Sequence, residues 1–334
     1  MSFVFGPVPS RRLGRSLGID PLAMKTCNFS CVYCQLGRTR PLVTERCADV
    51  PVTAVADQAA NALEQLGPEA IDWITFVGSG ETTLHSGLGT LIRQVKTLSE
   101  LPIAVITNGS LLHLPAVRQD LQAADAVLPS LDAGSPELFR LIARPHPACT
   151  FERLVAGLVE LRQVYTGRLW LEVMLLAGVN DTEQALTDVA QVAAGIEPDE
   201  IHLAVPSRPP AETWVRAPDE QGLERARAIL GSVARIISPG RESLSFSPTT
   251  MSREAVLDII TRHPMRLQEL ETLLDEPAAG HVSEALAALE ASGRAQKVER
   301  HGVCYWAAAS AYYPRTERSE ASDARKRVAP IDAA

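Results

Sequence analysis

Between residues 17 and 205 the chain alternates short apolar runs with longer stretches of helical period. Leu17 to Asp20, Trp73 to Gly78, Ile103 to Thr107, Ala126 to Leu131, Leu169 to Leu176 and Glu200 to Val205 are rich in β-branched, aromatic and aliphatic residues and read as buried strands. Between them, Thr53 to Leu66, Leu88 to Ser99, Phe151 to Tyr165 and Thr182 to Ala194 repeat apolar positions with the period of an amphipathic helix. Turn residues such as Gly67-Pro68 and Gly195 bound them. Strands alternating with helices imply parallel pairing through helical crossovers, so six such units predict an α/β fold, a partial (β/α)6 barrel.

The pattern changes after Pro248-Thr249-Thr250-Met251. Ser252 to Arg262, Arg266 to Leu274 and His281 to Ser292 read as helices, the last with Leu286 and Leu289 on one face and Gly293 at its end. Ala295 to Arg300, His301-Gly302 and Val303 to Ala307 then read as a hairpin. Three helices followed by a hairpin resemble a winged helix-turn-helix, a small α+β domain. The stretch from Pro314, rich in Arg, Ser, Ala and Asp, is expected to be disordered. The expected division is a barrel domain over residues 1–248, a winged-helix-like domain over 249–310 and a tail over 311–334.

Length and composition agree with two globular domains: 334 residues exceed the usual single-domain size, 46% are hydrophobic, and no apolar run is long enough for a membrane span. A net charge of −8, slightly more acid than base after residue 251, and no Arg or Lys in His281 to Glu290 argue against nucleic-acid binding by the second domain. A packing or partner-recruiting role fits that domain better. The first 46 residues are by contrast basic, through Arg11, Arg12, Arg15, Lys25, Arg38, Arg40 and Arg46. They are either an RNA or phosphate contact or a solvated surface.

The sharpest chemical signal is Lys25-Thr26-Cys27-Asn28-Phe29-Ser30-Cys31-Val32-Tyr33-Cys34. A C-x3-C-x2-C loop can bring three thiolates to three irons of a cubane cluster and leave the fourth iron open. Structural zinc wants four closed ligands, and no second cysteine pair follows at the right distance; His85 lies in a different motif. A disulfide reading needs an oxidising compartment, whereas six Cys in 334 residues and an opening Met1-Ser2-Phe3-Val4 without a signal pattern point to the cytoplasm. Cys47, Cys149 and Cys304 stand singly and are expected to be small buried hydrophobes.

Ligands of parallel α/β folds gather at the C-terminal ends of strands, which here carry Gly78-Ser79-Gly80-Glu81, Asn108-Gly109, Ser130-Leu131-Asp132 and Asn180-Asp181. Each has a plainer alternative. Gly78 to Glu81 can be a strand-to-helix turn, Asn108-Gly109 a turn, Asp132 to Pro136 a helix entry, and Asn180-Asp181-Thr182 a helix cap. Glu172, flanked by Trp170, Leu171, Val173 and Met174, either faces solvent or meets something polar inside the barrel, because a lone buried carboxylate is costly.

The C-x3-C-φ-C pattern with Tyr33 as φ resembles the radical S-adenosylmethionine (SAM) enzymes. The resemblance implies a partial TIM-like barrel of that type, one 4Fe-4S cluster ligated by Cys27, Cys31 and Cys34, and SAM chelated at the open iron. One electron then cleaves SAM to a 5′-deoxyadenosyl radical that abstracts hydrogen from substrate. Tyr33 would contact the adenine, and Gly78, Ser79, Gly80 and Glu81 would stand where the superfamily binds the methionine amino group, with Thr82 in place of the usual Pro. Asn108, Asp132 and Glu172 would touch SAM or substrate. The strings Thr107 to Leu112, Ser130 to Ala133, Glu172 to Leu175, Ser10 to Asp20 and Arg208 to Glu212 are similar to the iron–sulfur oxidoreductases related to tRNA 4-demethylwyosine synthase. The second cluster of that synthase is not expected, since no cysteine precedes Cys27. The resemblance and the basic N-terminus imply a nucleoside or tRNA base as substrate, with an electron donor such as flavodoxin or ferredoxin. Two alternatives stay open: an activase that makes a glycyl radical on a partner protein docked at the winged helix, and a redox-sensing DNA-binding regulator.

Overall fold

The structure, a computed structural model, describes residues 2–10, 12–237, 253–272 and 276–314. In chain order it comprises β1 (Val4–Ser10), β2 (Gly14–Ile19), α1 (Val52–Leu66), β3 (Trp73–Phe76), α2 (Leu88–Leu98), β4 (Ile103–Thr107), α3 (Pro115–Asp120), β5 (Ala126–Pro129), α4 (Pro136–Ala143), α5 (Phe151–Val164), β6 (Arg168–Met174), α6 (Glu183–Ile196), β7 (Glu200–Ala204), α7 (Glu220–Leu230) and β8 (Ala234–Ile236). After the undescribed residues come α8 (Arg253–Arg262), α9 (Leu267–Thr272), α10 (Glu276–Ala291), β9 (Ala295–Arg300) and β10 (Val303–Ala308).

Strands β1 to β8 form one sheet in sequence order. β1 is antiparallel to β2, and β2 through β8 pair in parallel. This is the partial barrel expected from the alternation, with β1 and β8 added to the six expected strands. Alternation along the strands sorts side chains to two faces. Ile74, Phe76, Val105, Val127, Leu171 and Val173 pack outward against the helices, for example against Val55 of α1, Ile92 of α2, Leu158 of α5 and Val189 of α6. The inward set is smaller: Ala104, Ala126 and Leu128 leave room for Trp73 and Trp170, and Leu13 from the β1–β2 turn joins them.

Local chemistry fixes where the helices begin. Ser135, Thr150, Thr182 and Asp219 each cap one, accepting from the backbone N–H of Leu138, Arg153, Ala185 and Gly222. Their ends are less regular. Gly195, read above as a terminator, lies inside α6, and the helix closes instead on Glu197 in the left-handed region at φ 58°. Arg144 closes α4 in the same way at φ 45°.

The C-terminal elements have a separate core. Val256 and Ile260 of α8, Leu270 of α9, Val282, Leu286 and Leu289 of α10, and Trp306 of β10 pack together. The β9–β10 hairpin runs from Ala295↔Ala308 to Arg300↔Val303, and Met265 bridges Trp306 as a further edge. The expected boundary at residues 248–249 and residues 315–334 of the expected tail lie outside the described residues, while its first four, 311–314, are described and meet the barrel through Tyr312 and Tyr313. Among the described residues no helix is long and apolar enough to cross a membrane.

Candidate active site

The loop from Asp20 to α1 carries the three cysteines at the C-terminal rim of the sheet, and hydrogen bonds stitch it to the loop after β3. Lys25 N–H donates to the Ser79 carbonyl at 2.8 Å, and Glu81 N–H donates to the Thr26 carbonyl at 2.8 Å. Lys25 adopts a left-handed φ of 64°, which turns the chain into the cysteine segment. Its Nζ donates to the Gly37 carbonyl at 2.8 Å and lies 3.3 Å from Cys34 Sγ. The glycine between Ser79 and Glu81 is required for this approach: a Cβ on Gly80 would stand 1.9 Å from the Thr26 carbonyl oxygen.

Cys27, Cys31 and Cys34 are free and partly buried. Burial, and after it the Glu81 carboxylate, pushes the Cys27 thiol up to about 12. Burial and the charges of Cys27 and Cys34 push Cys31 well above the ordinary thiol range. Three thiolates that repel one another in a shielded loop need a shared cation, and cluster iron is the partner that such a donor set fits. Among the described residues no three His, Cys, Asp or Glu side chains close on one point as a mononuclear site would require. A cubane asks for something different, three thiolates directed to three separate irons.

Around this loop the structure assembles most of the expected polar residues. Glu81 is buried, and its carboxylate accepts four hydrogen bonds: Thr83 N at 2.9 Å, Thr83 Oγ1 at 2.6 Å and Thr107 Oγ1 at 2.6 Å on Oε1, and Asn108 N at 2.6 Å on Oε2. Glu81 therefore ties the end of β3 to the end of β4, and its acceptor sites are largely taken by the chain itself. Asn108 donates from Nδ2 to Asn28 Oδ1 at 2.7 Å, inside the cysteine segment. Tyr33 donates its hydroxyl to Asp132 Oδ2 at 2.6 Å, and Met174 N–H meets Asp132 Oδ1 at 2.8 Å. Burial lifts the Asp132 carboxyl to about 6 against the pull of those two donors. Phe29, Tyr33, Asn108, Ser130, Asp132 and Phe139 line a narrow cavity beside the loop.

Glu172 stands apart from this group. It faces the barrel interior and forms an ion pair with Arg12, the two side chains being 15% and 17% exposed. The carboxylate that needed a polar partner has one in the β1–β2 turn. Asn180 is a brace as well, donating to the carbonyls of Asp132 at 2.8 Å and Met174 at 2.9 Å, while Thr182 caps α6. Of the lone cysteines only Cys149 is buried; Cys47 is partly exposed and Cys304 is exposed on the outer edge of the hairpin, where the strand's alternation turns it to solvent.

The basic N-terminal residues are largely committed within the chain. Arg15 pairs with Asp72 at 2.7 Å, Arg38 with Glu212 at 2.6 Å and Arg46 with Asp120 at 2.6 Å, in addition to the Arg12–Glu172 pair. Arg40 lies over the ring of Tyr312, and Arg11 falls outside the described residues. Sequence reasoning missed the residues that carry these ties. Glu212 is buried and holds both Arg38 and Arg144, at 2.6 and 2.5 Å. Asp20 is buried beside Ser79 and meets Arg262 of α8 at 3.0 Å. Only the string Arg208 to Glu212 hinted at the first, and nothing local signals a pair separated by 242 residues.

A barrel of parallel strands carrying three clustered thiols on the loop after the first of them defines an iron–sulfur enzyme of the radical type. The profile of the Radical SAM superfamily matches residues 22–189, and the chain belongs to that superfamily. It is 33% identical over 280 residues to UPF0026 protein MJ1312 of Methanocaldococcus jannaschii, covering 83% of this chain and 87% of that one. It is also 35% identical over 307 residues to a protein of Brachyspira hyodysenteriae called GTPase Obg, covering 91% of this chain. The chain spans only 45% of the length of that relative. No lysine here follows a glycine, so the phosphate loop of a P-loop GTPase is not among these residues. Among solved structures, a radical SAM methyltransferase from Sphaerobacter thermophilus aligns with a TM-score of 0.50 at 18% identity over 66% of each chain, which shows a shared fold. The superfamily works with a 4Fe-4S cluster and SAM.

Proposed function

We propose that Cys27, Cys31 and Cys34 hold a single 4Fe-4S cluster and that the chain takes a hydrogen atom from a nucleoside-sized substrate. A cluster held by these three thiolates would, with SAM bound, supply the electron for reductive cleavage of SAM. The chain's own part is placement. Lys25 and Asn108 fix the cysteine segment, the Gly78 to Glu81 loop would face the methionine end of SAM, and Tyr33, held by Asp132, would stand against the adenosyl end. Phe29, Phe139 and Ile142 form the apolar side of the narrow cavity beside Tyr33 and Asp132, which limits water where a radical must survive.

The observation that carries this reading is the stitching of the cysteine loop to Ser79 and Glu81 through two 2.8 Å backbone hydrogen bonds, which sets thiols and SAM loop in one rigid frame. A nucleoside rather than an intact tRNA is favoured because Arg12, Arg15, Arg38 and Arg46 of the N-terminal segment are already paired with the chain's own carboxylates, which reduces what these four offer a polyanion. The strings shared with the wyosine-type oxidoreductases support a base or nucleoside as the chemical class. We take residues 249–310 as a winged-helix-like domain with a packing or partner-recruiting role, since α10 offers no basic side chain from Val282 to Leu289.

Anaerobic reconstitution with iron and sulfide, followed by dithionite and SAM, should yield 5′-deoxyadenosine and methionine. The Cys31→Ala variant should lose the visible absorbance of the cluster and bring product to background. A normal 4Fe-4S spectrum in that variant would refute the ligand assignment. Full SAM cleavage that small nucleosides leave unchanged and a partner protein stimulates would move the reading to the activase.

A further inference from the structure

Asp20 lies at the C-terminal end of β2, under the loop that follows β3, and is 0% exposed. Its Oδ2 accepts from Ser79 N at 3.2 Å, from Ser79 Oγ at 2.9 Å and from Arg262 Nε at 3.0 Å, while Oδ1 accepts from Leu22 N at 3.3 Å. The fit is close: a Cβ on Gly78 would come within 3.0 Å of Asp20 Oδ1. A buried carboxylate in such a setting needs a counter-charge, and Arg262 is the cation that reaches it.

Arg262 belongs to the other half of the molecule. It is the last residue of α8, and its side chain is 10% exposed. The guanidinium also donates to the Ser2 carbonyl at 2.5 Å and lies over the Phe5 ring at 5.2 Å, so its place is fixed on three sides. The backbone joins in, because Gln35 Nε2, one residue beyond Cys34, donates to the Arg262 carbonyl at 2.8 Å. Further contacts seat the same unit on the same rim. Arg38 N–H donates to the Tyr312 carbonyl at 2.8 Å, the Tyr313 hydroxyl donates to the Gln35 carbonyl, and Arg300 Nε donates to the Pro210 carbonyl at 3.0 Å.

Ser79 is therefore held from two directions. Asp20 takes its N–H and hydroxyl, and Lys25 of the cysteine loop donates to its carbonyl. Removing the guanidinium would leave Asp20 with neutral donors only, and the buried charge would then favour protonation, water entry or rotation away from Ser79.

We propose that Arg262 is a positioning residue for the SAM site: acting through Asp20 it holds Ser79, so that the Gly78 to Glu81 loop is complete only when the C-terminal unit is seated on the barrel. The proposal rests on the assignment of that loop to SAM. It gives the C-terminal unit a task in cofactor binding and needs no nucleic acid.

The test compares wild type, Arg262→Met, Arg262→Lys, Asp20→Asn and the Arg262→Met/Asp20→Asn pair, with Arg294→Ala on the exposed face of the same unit as control. Two quantities are read: the SAM dissociation constant of the reconstituted protein by calorimetry, and amide exchange of the peptide around Ser79 in the cluster-free protein. Arg262→Met should weaken SAM binding at least tenfold at unchanged iron content and speed exchange around Ser79 at least tenfold. Lys, which restores charge without the planar fork, should recover part of both. In the Asp20→Asn background the Met substitution should add little, since both act on one chain of contacts. Wild-type affinity and exchange in Arg262→Met, or an equal loss in both backgrounds, would overturn the proposal. If Arg262→Met fails to fold, Asp20→Asn, which keeps the side-chain volume, carries the same test, and wild-type values there overturn it too. If wild type itself does not bind SAM, the assignment of the loop falls while the exchange comparison still decides whether Arg262 holds Ser79.

Discussion

At Gly80 the cysteine loop packs directly on the loop after β3, and a small residue there serves a contact between two parts of the chain. Its small size suggests a backbone that approaches a ligand; the structure puts the Thr26 carbonyl of the cysteine loop in that space. Gly80→Ala must push two loops apart, because a Cβ 1.9 Å from a backbone oxygen cannot be accommodated by a side-chain shift. The expected cost is about 2–4 kcal/mol, read from denaturant unfolding of the cluster-free protein, together with poor iron uptake on reconstitution. Wild-type stability and iron content in that variant would show that the loops part freely. Glu81 was legible as a carboxylate at a strand end but not as a brace, since its four donors come from Thr83, Thr107 and Asn108, and Thr107 and Asn108 lie on the next strand and its following loop. Glu172 was legible as a charge needing a partner, while the partner, Arg12, could only be found by closing the barrel.

At the scale of elements, hydrophobic period identified the six strands that build the site and the four helices named beside them, because those segments bury one face each and nothing competes with the pattern. The two missed strands have physical reasons for being missed. β1 contains Pro7 and Pro9, which speak against a strand, but it pairs on one side only, where a missing donor is tolerated. β8 is three residues long, too short to show any period. The end of α6 was misplaced because glycine is the usual stop signal; here Gly195 has open space around it and Glu197 takes the left-handed cap. Both positions are out of register with their preferences, so two stabilising changes follow. Gly195→Ala should gain about 0.5–1 kcal/mol from helix propensity and reduced freedom of the unfolded chain. Glu197→Gly should gain a similar amount, roughly 1 kcal/mol, by relieving the left-handed conformation. Thermal unfolding of the single and double variants checks both, and loss of stability in either would mean that the α6 terminus depends on contacts of the native side chain or backbone that the substitution removes.

For the molecule as a whole, the junction between barrel and C-terminal unit is built from charged and aromatic groups that no local pattern announces. One of them makes the junction sensitive to acid. His263 follows Arg262, lies 5.5 Å from the Phe5 ring, and has a buried Nε2 with no hydrogen-bond partner among the described residues. Burial first, then the charges of Arg208 and Arg262, lowers its pKa to about 4. Below pH 6.5 the unfolded imidazole takes up a proton while the folded one does not until about pH 4, so His263 contributes stability above pH 6.5 that is lost as pH falls through that window. The groups facing it act in the same direction as burial: Arg208 and Arg262 oppose a positive ring, and the carboxylates Glu269 and Asp20 are already engaged by those arginines. His263→Leu removes the titration and keeps an apolar contact for Phe5. The difference in unfolding free energy, variant minus wild type, should therefore grow by about 1–3 kcal/mol in favour of the variant between pH 7 and pH 4.5. A parallel pH dependence of the two proteins would show that His263 protonates freely in the folded state and that the junction is open to water at that point. If the difference appears, Ser79 should also exchange faster in wild type than in the variant at pH 4.5, since Arg262 can hold Asp20 only while α8 stays seated.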